Sequence, residues 1–243
     1  MIPWDKAGHG SIAHTTSYYA ASANASPERP PLKGDIEIDI LIVGAGYSGL
    51  STGLHLAEKG YKVAIVEAAR VGWGASGRNG GQIVNGLNAS LQTIQKRYGA
   101  DTAHFVAGLV QEGGEIIRER VKTYAIQCDL KDGNVFTAYT GAHMRELEER
   151  LRLWAGYGIR NQEMLDREQL RKHINSDVYA GGMIDRSGGH MHPLNLALGE
   201  AAAFEKLGGK IYEQTPAVHV ETGAAKPVVK TEGGSVTCKT LVL

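Results

Sequence analysis

The sequence predicts an α/β fold: a Rossmann-like domain with a parallel, doubly wound sheet, interrupted by a segment of mixed helices and strands. Three observations carry this. A short β-branched run, Asp39–Val43 (DILIV), passes through Gly44-Ala45-Gly46-Tyr47-Ser48-Gly49 into a helical pattern and out to a second run, Lys62–Val66 (KVAIV). That is β-α-β in about 30 residues, the unit from which such sheets are built. The chain's 32 glycines exceed the usual share of about 7% and fall in clusters. Far downstream, a helical stretch Leu194–Leu207 stops at Gly208-Gly209 and enters strand-like Lys210–Tyr212, which reads as a return to the first sheet.

Each element has its own warrant. DILIV is apolar without alternation, as a strand buried on both faces should be. Ser48–Lys59 places Leu50, Leu54 and Ala57 on one helical face, with Gly60 where a C-terminal cap belongs. A glycine-rich stretch, Gly72–Gly86, follows. Asp101 to about Tyr124 then reads as a helix carrying Phe105, Leu109, Ile116 and Val121, and Arg145–Trp154 as another. Between them Gly133–Thr140 has strand-like composition. A second glycine-rich stretch, Gly181–Gly189, precedes His190-Met191-His192-Pro193. Residues 1–34 read as an extended arm ending in Pro30-Pro31 and Gly34. The sequence closes on Thr240-Leu241-Val242-Leu243, an apolar strand, and the expectation is that a further C-terminal part completes the natural protein.

Composition narrows the function classes. The 243 residues suffice for one large or two small domains. Lys plus Arg equals Asp plus Glu at 26 each, so no net field draws nucleic acid or an anionic membrane. No apolar run approaches the roughly 20 residues that span a bilayer, and residues 1–32 lack the order of a signal peptide. Cys128 and Cys238 stand far apart in no metal or redox spacing and read as free thiols of a reducing, cytoplasmic compartment. His190 and His192 lack a third ligand, so no metal site is expected. His55 reads as a packing or surface residue, and Arg145–Arg152 (RELEERLR) as a solvated helix face with i,i+4 pairs.

The Gly44-Ala45-Gly46-Tyr47-Ser48-Gly49 motif gains its weight from context, because it follows a strand and opens a helix. Gly44 permits the tight turn, Gly46 lets a pyrophosphate approach the backbone, and Gly49 lets helix and strand pack closely. The helix N-terminus offers N–H groups and a partial positive charge. Glu67, ending the second strand, can accept the ribose hydroxyls of a dinucleotide. The choice between NAD and FAD falls to the next loop, Gly72-Trp73-Gly74-Ala75-Ser76-Gly77-Arg78-Asn79-Gly80-Gly81-Gln82. FAD is long, and its ring is gripped away from the adenine. A loop with so little side chain exposes main-chain N–H groups to that ring, with Ser76 and Asn79 as short polar contacts.

At this point a family resemblance becomes specific. Residues 44–82, GAGYSGLSTGLHLAEKGYKVAIVEAARVGWGASGRNGGQ, resemble the start of the D-amino-acid oxidase superfamily of flavoproteins, which includes glycine and sarcosine oxidases. Thr16–Asn24, Glu112–Arg120 and Ser187–Ala197 are similar to the gamma-glutamylputrescine oxidases of that group, and the resemblance runs over essentially the whole chain. It implies an FAD-binding domain of residues 35–95 and 190–243, interrupted by an α+β substrate-domain segment, 96–189. It implies that Gly44, Gly46 and Gly49, with Tyr47 and Ser48 between them, hold the pyrophosphate, and that Glu67 and Ala68 meet the ribose. Ala75, Ser76, Gly80, Gly81 and Gln82, with Arg78 and Asn79, fall on the flavin side; main chain at Ala217 or Val218 meets the adenine.

The function so implied is oxidation of a small-molecule amine or amino acid. Hydride passes to the flavin, dioxygen is the acceptor, and the imine is hydrolysed to an aldehyde. Two rivals remain: an amino-acid dehydrogenase with another acceptor, and a redox-silent nucleotide-binding module. No residue of the chain is assigned as the group that deprotonates the amine.

Overall fold

In the computed structural model, which describes residues 13–223 and 225–243, the elements run α1 (Tyr18–Ala21), β1 (Ile36–Val43), α2 (Tyr47–Glu58), β2 (Val63–Val66), β3 (Gln82–Ile83), α3 (Leu91–Tyr98), α4 (Ala100–Thr123) and β4 (Lys131–Ala138). They continue α5 (Gly141–Gly156), β5 (Gln162–Asp166), α6 (Arg167–Arg171), β6 (Gly181–His190), α7 (Pro193–Lys206), β7 (Lys210–Tyr212), β8 (His219–Glu221), β9 (Val228–Lys230) and β10 (Ser235–Val242). The chain divides into two compact units. One extends to Gly80 and takes in Thr123–Cys128 and His192–Leu243; the other comprises Gly81–Lys122 and Asp129–Met191.

The first unit holds a six-stranded sheet, ordered β7-β2-β1-β10-β9-β8, in which the first four strands are parallel. Its core follows the two-residue strand period. Ile40 and Ile42 face α2 and α7, where they pack with Leu50, Leu54, Ile65, Phe204 and Ile211. Leu41 turns the other way, against Ala64, Val66, Val229, Val236 and Cys238. Strand β1 starts earlier than Asp39 because its first residues pair with β10, Ile36 opposite Val236, a partner arriving 200 residues later in the chain.

The first twelve residues of the expected N-terminal arm lie outside the described residues. The rest is packed rather than extended throughout. Helix α1 is capped by Ser17, Asn24 N donates to Asn195 Oδ1 at 2.8 Å, and Leu32 is buried with its N–H on Thr215 Oγ1.

In the second unit β6 is the centre of an antiparallel sheet, flanked by β3, β4 and β5. Gly181–Gly189, a composition poor in strand formers, is therefore the best-paired strand of its unit. The glycines are required by close approach: a Cβ on Gly182 would lie 2.5 Å from Phe136 O, and one on Gly188 2.4 Å from Asn134 Nδ2. Asp185, buried, accepts from Ser187 N and Oγ and from Asn85 Nδ2, which latches β6 to the segment after β3. Helices α3, α4 and α5 bury Leu91, Ala107 and Trp154 together with Ile159.

Candidate nucleotide-binding site

The turn between β1 and α2 needs its glycines for three different reasons. Gly44 has φ +102°, a left-handed conformation that L side chains rarely adopt. A Cβ on Gly49 would fall 2.0 Å from Gly44 O, so turn and helix could not meet as they do. Gly46 has an ordinary φ of −83° and is the N-cap of α2; a Cβ there would stand 3.0 Å from Ser76 Oγ. Among the described residues, none accepts from the N–H groups of Gly46, Ser48 or Gly49. This strip of bare backbone donors at the positive end of a helix fits a pyrophosphate.

The loop expected to hold the ring is built onto that turn. Gly72 N donates to Ala45 O at 2.9 Å, and Tyr47 N donates to Ser76 Oγ at 3.0 Å. Ala75–Gly77 forms a single 3-10 turn, with Ala75 exposed at its start. Asn79 Nδ2 donates back to Ala75 O and Ser76 O, so its amide shapes the loop itself. Arg78 also folds back: its Nε donates to Gly74 O, and its guanidinium carbon lies 4.9 Å from the centre of the Trp73 ring. Gly80 is exposed and closes the first of the chain segments that make up the first unit.

Glu67, just past β2, has both oxygens engaged, accepting from Ala45 N at 2.7 Å and Ala69 N at 2.9 Å. A carboxylate has about four acceptor sites, so two remain for ribose hydroxyls. Ala68 sits between these bonds, half-buried. Alongside runs 213–215, with Gln214 N on Ala69 O and Thr215 N on Glu67 O. That segment leads to Ala217, packed on the second face of the sheet, and to Val218, 57% exposed, whose N–H is committed to Lys230 O.

The structure thus brings the turn at 44–49, Glu67 to Ala69, and the loop at 72–79 into one bonded assembly. Gly81 and Gln82 belong to the second unit. Gly81, buried with φ +67°, accepts from Met191 N through its carbonyl, and exposed Gln82 pairs with His190 in the β3–β6 ladder.

Sequence reasoning missed a buried ionic cluster in the first unit. Glu213, 2% exposed, accepts from Val71 N and Arg70 Nη1, and Arg29 stands 3.7 Å away while holding Glu205 by two bonds. These residues lie far apart in sequence and in no motif, so no local signal joins them. His192, whose Nδ1 accepts from Asn195 N, caps α7; with that nitrogen bare, Nε2 carries the proton and donates to Ser22 Oγ. His190 ends β6, and His55 is an exposed helix residue. Among the described residues no group of His, Cys, Asp and Glu could hold a metal ion. Tyr47 donates its hydroxyl to Pro193 O at 2.8 Å, and burial pushes its pKa up to about 12.

A sheet with four parallel strands, a bare-backbone turn and a strand-end carboxylate define a dinucleotide-binding domain of the Rossmann type. The family profile "DAO: FAD dependent oxidoreductase" matches residues 39–243. The chain belongs to this family of FAD-dependent oxidoreductases. It is 46% identical over 230 residues to the gamma-glutamylputrescine oxidoreductase of Escherichia coli (strain K12), covering 95% of this chain and 54% of that protein. A probable oxidoreductase, OrdL, of Haemophilus influenzae is 40% identical over 95% of this chain and 54% of its own length. The chain spans about half the length of the curated relatives it matches.

Among solved structures, the L-amino acid deaminase from Proteus myxofaciens superposes with a TM-score of 0.76 at 20% identity, over 90% of this chain and 48% of that one. Glycine oxidase from Geobacillus kaustophilus gives 0.69 at 22%, over 84% and 54%. At these identities the likeness shows the fold.

Proposed function

We propose that the protein, through bound FAD, oxidises gamma-glutamylputrescine or a closely related amine. The observation that carries this reading is the cradle of Gly44, Gly46, Gly49, Glu67 and Ser76, found in a chain 46% identical to a gamma-glutamylputrescine oxidoreductase. When bound, the flavin supplies the two-electron acceptor for a hydride from the carbon beside the amine nitrogen. The chain's own part is placement. Backbone N–H groups of Gly46, Ser48 and Gly49 hold the pyrophosphate, Glu67 and the main chain at Ala68 hold the ribose, and main chain at Ala217 or Val218 meets the adenine. Ala75, Ser76, Arg78, Asn79, Gly80, Gly81 and Gln82 line the flavin side.

Dioxygen is the acceptor in this reading, with hydrogen peroxide released. A reducing compartment, the cytoplasm, accords with Cys128 and Cys238, both buried and neither in a disulfide. Among the described residues no helix is long and apolar enough to cross a membrane.

An anaerobic absorbance titration tests the reading. Gamma-glutamylputrescine is expected to bleach the oxidised flavin bands, and admitted air to restore them with peroxide. Bands unmoved by that substrate and by simple amines would overturn the proposal. Bleaching that oxygen fails to reverse would remove dioxygen while leaving amine oxidation in place.

A further inference from the structure

We propose that the second unit carries a binding site, separate from the nucleotide cradle, for a small carboxylate on an apolar stem. The RELEERLR run of α5 leads to it. Among its charged residues Arg152 makes the expected i,i+4 contact, 3.6 Å from Glu148. Arg150 does not join a solvated pair. Its guanidinium carbon lies 4.4 Å from the centre of the Phe136 ring, and among the described residues no carboxylate lies within ion-pair distance of it. Attraction to an aromatic face does not use up the N–H donors of a guanidinium, and among the described residues those of Arg150 have no partner, so their fork can take a carboxylate in two parallel bonds.

That arginine lines a cavity of about 310 Å³ and, among the described residues, is the only charged one in its wall. The remaining wall is mostly apolar, with Leu87, Leu91, Leu153 and Trp154 as its large members. A small apolar cleft with one oriented polar anchor is the usual form of a small-molecule site. A second electropositive feature converges on the same space. Ser90, in the cavity wall, is the N-cap of α3, so the cavity meets the positive end of an eight-residue helix. An unpaired guanidinium and a helix N-terminus both favour an anion, and the leucines and Trp154 favour a hydrocarbon tail. A neutral or cationic ligand would satisfy neither charge feature.

Hexanoate and hexanamide are a matched pair of probes, equal in length and differing in charge. Trp154, 7% exposed in the cavity wall, reports occupancy by its fluorescence, with Trp154→Phe identifying its share of the signal. Hexanoate is expected to titrate that signal saturably at millimolar concentration. Hexanamide should bind roughly 10- to 100-fold more weakly, as should hexanoate to Arg150→Gln, because a charge-assisted bond is lost. Leu87→Glu, at a position 48% exposed on the rim, offers Arg150 an internal carboxylate and is expected to compete with hexanoate without disturbing the fold. Equal binding of acid and amide, full binding in Arg150→Gln, or no saturable signal in the wild type would each overturn the proposal. Because the readout is binding by a unit that does not contain the cradle, failure here leaves the amine oxidase reading untouched, and the reverse holds too.

Discussion

The backbone N–H of Tyr47, first residue of α2, donates to the Ser76 side chain at 3.0 Å. One bond therefore joins the two glycine-rich loops, and the second loop cannot move without disturbing the helix start. With Gly72 N on Ala45 O it makes a single rigid cradle from segments about 30 residues apart in the chain. Its consequences can be measured.

Gly46→Val is expected to abolish flavin retention while the protein still folds. The φ of −83° is open to any L residue, so the backbone accepts valine. The new Cβ, however, would lie 3.0 Å from Ser76 Oγ, and its methyl groups would fill the space that bare backbone leaves for a phosphate. Flavin released per mole of denatured protein is the measurement. A normal flavin content would dismiss the pyrophosphate assignment.

Ser76→Ala removes the acceptor of the Tyr47 N–H and is expected to cost about 1 kcal/mol of stability. The same change should weaken FAD binding by more than the stability loss explains, because the loop is no longer registered on the helix. Urea unfolding of the apoprotein, beside flavin titration, separates the two effects. Equal affinity in both proteins would show that the Tyr47–Ser76 bond is structural only.

Glu213→Ala should be the most destabilising single change in the first unit. It strips a partner from Arg70 and leaves Arg29, whose side chain is 3% exposed, with Glu205 as its one carboxylate among the described residues. Removing one member of a buried ionic group costs about 3–5 kcal/mol. Glu28, also paired with Arg70 but 85% exposed, is the control, and Glu28→Ala should change stability by less than about 1 kcal/mol. Comparable thermal shifts for the two variants would refute the ranking.

These contrasts show where the sequence was legible. The β1–α2–β2 unit declares itself because its signals are local: a β-branched run, three glycines whose roles are set by neighbours, and a helical stripe through Leu50 and Leu54. Lys210–Tyr212 was visible for the same reason. Strand β6 was not, since four of its ten residues are glycine and only close approach by Leu165 and Met144, Phe136, Asn134 and Lys131, from other segments, explains them. Arg29, Arg70 and Glu213 become a cluster only when distant segments meet. Asn79 and Arg78, proposed for the flavin side, also bond to their own loop, a choice of rotamer that residue type alone does not dictate.

The final prediction concerns pH. Burial raises the Tyr47 hydroxyl from the ordinary 10.0 to about 12, against a smaller opposing contribution from the Asn79 side chain. In the unfolded chain the phenol ionises near pH 10, whereas in the folded protein it keeps its proton, and its bond to Pro193 O, until about pH 12. Between those values the unfolded state binds fewer protons than the folded one, so unfolding becomes easier as pH rises. The stabilisation is fully present below pH 10 and is lost through the interval up to about 12. Wild type should therefore lose stability across that window more steeply than Tyr47→Phe, which has no proton to release. An ultraviolet difference titration should likewise show one tyrosine fewer in the highest-pH step for the variant. Parallel stability curves for the two proteins would mean that the Tyr47 hydroxyl ionises as freely in the fold as in the open chain.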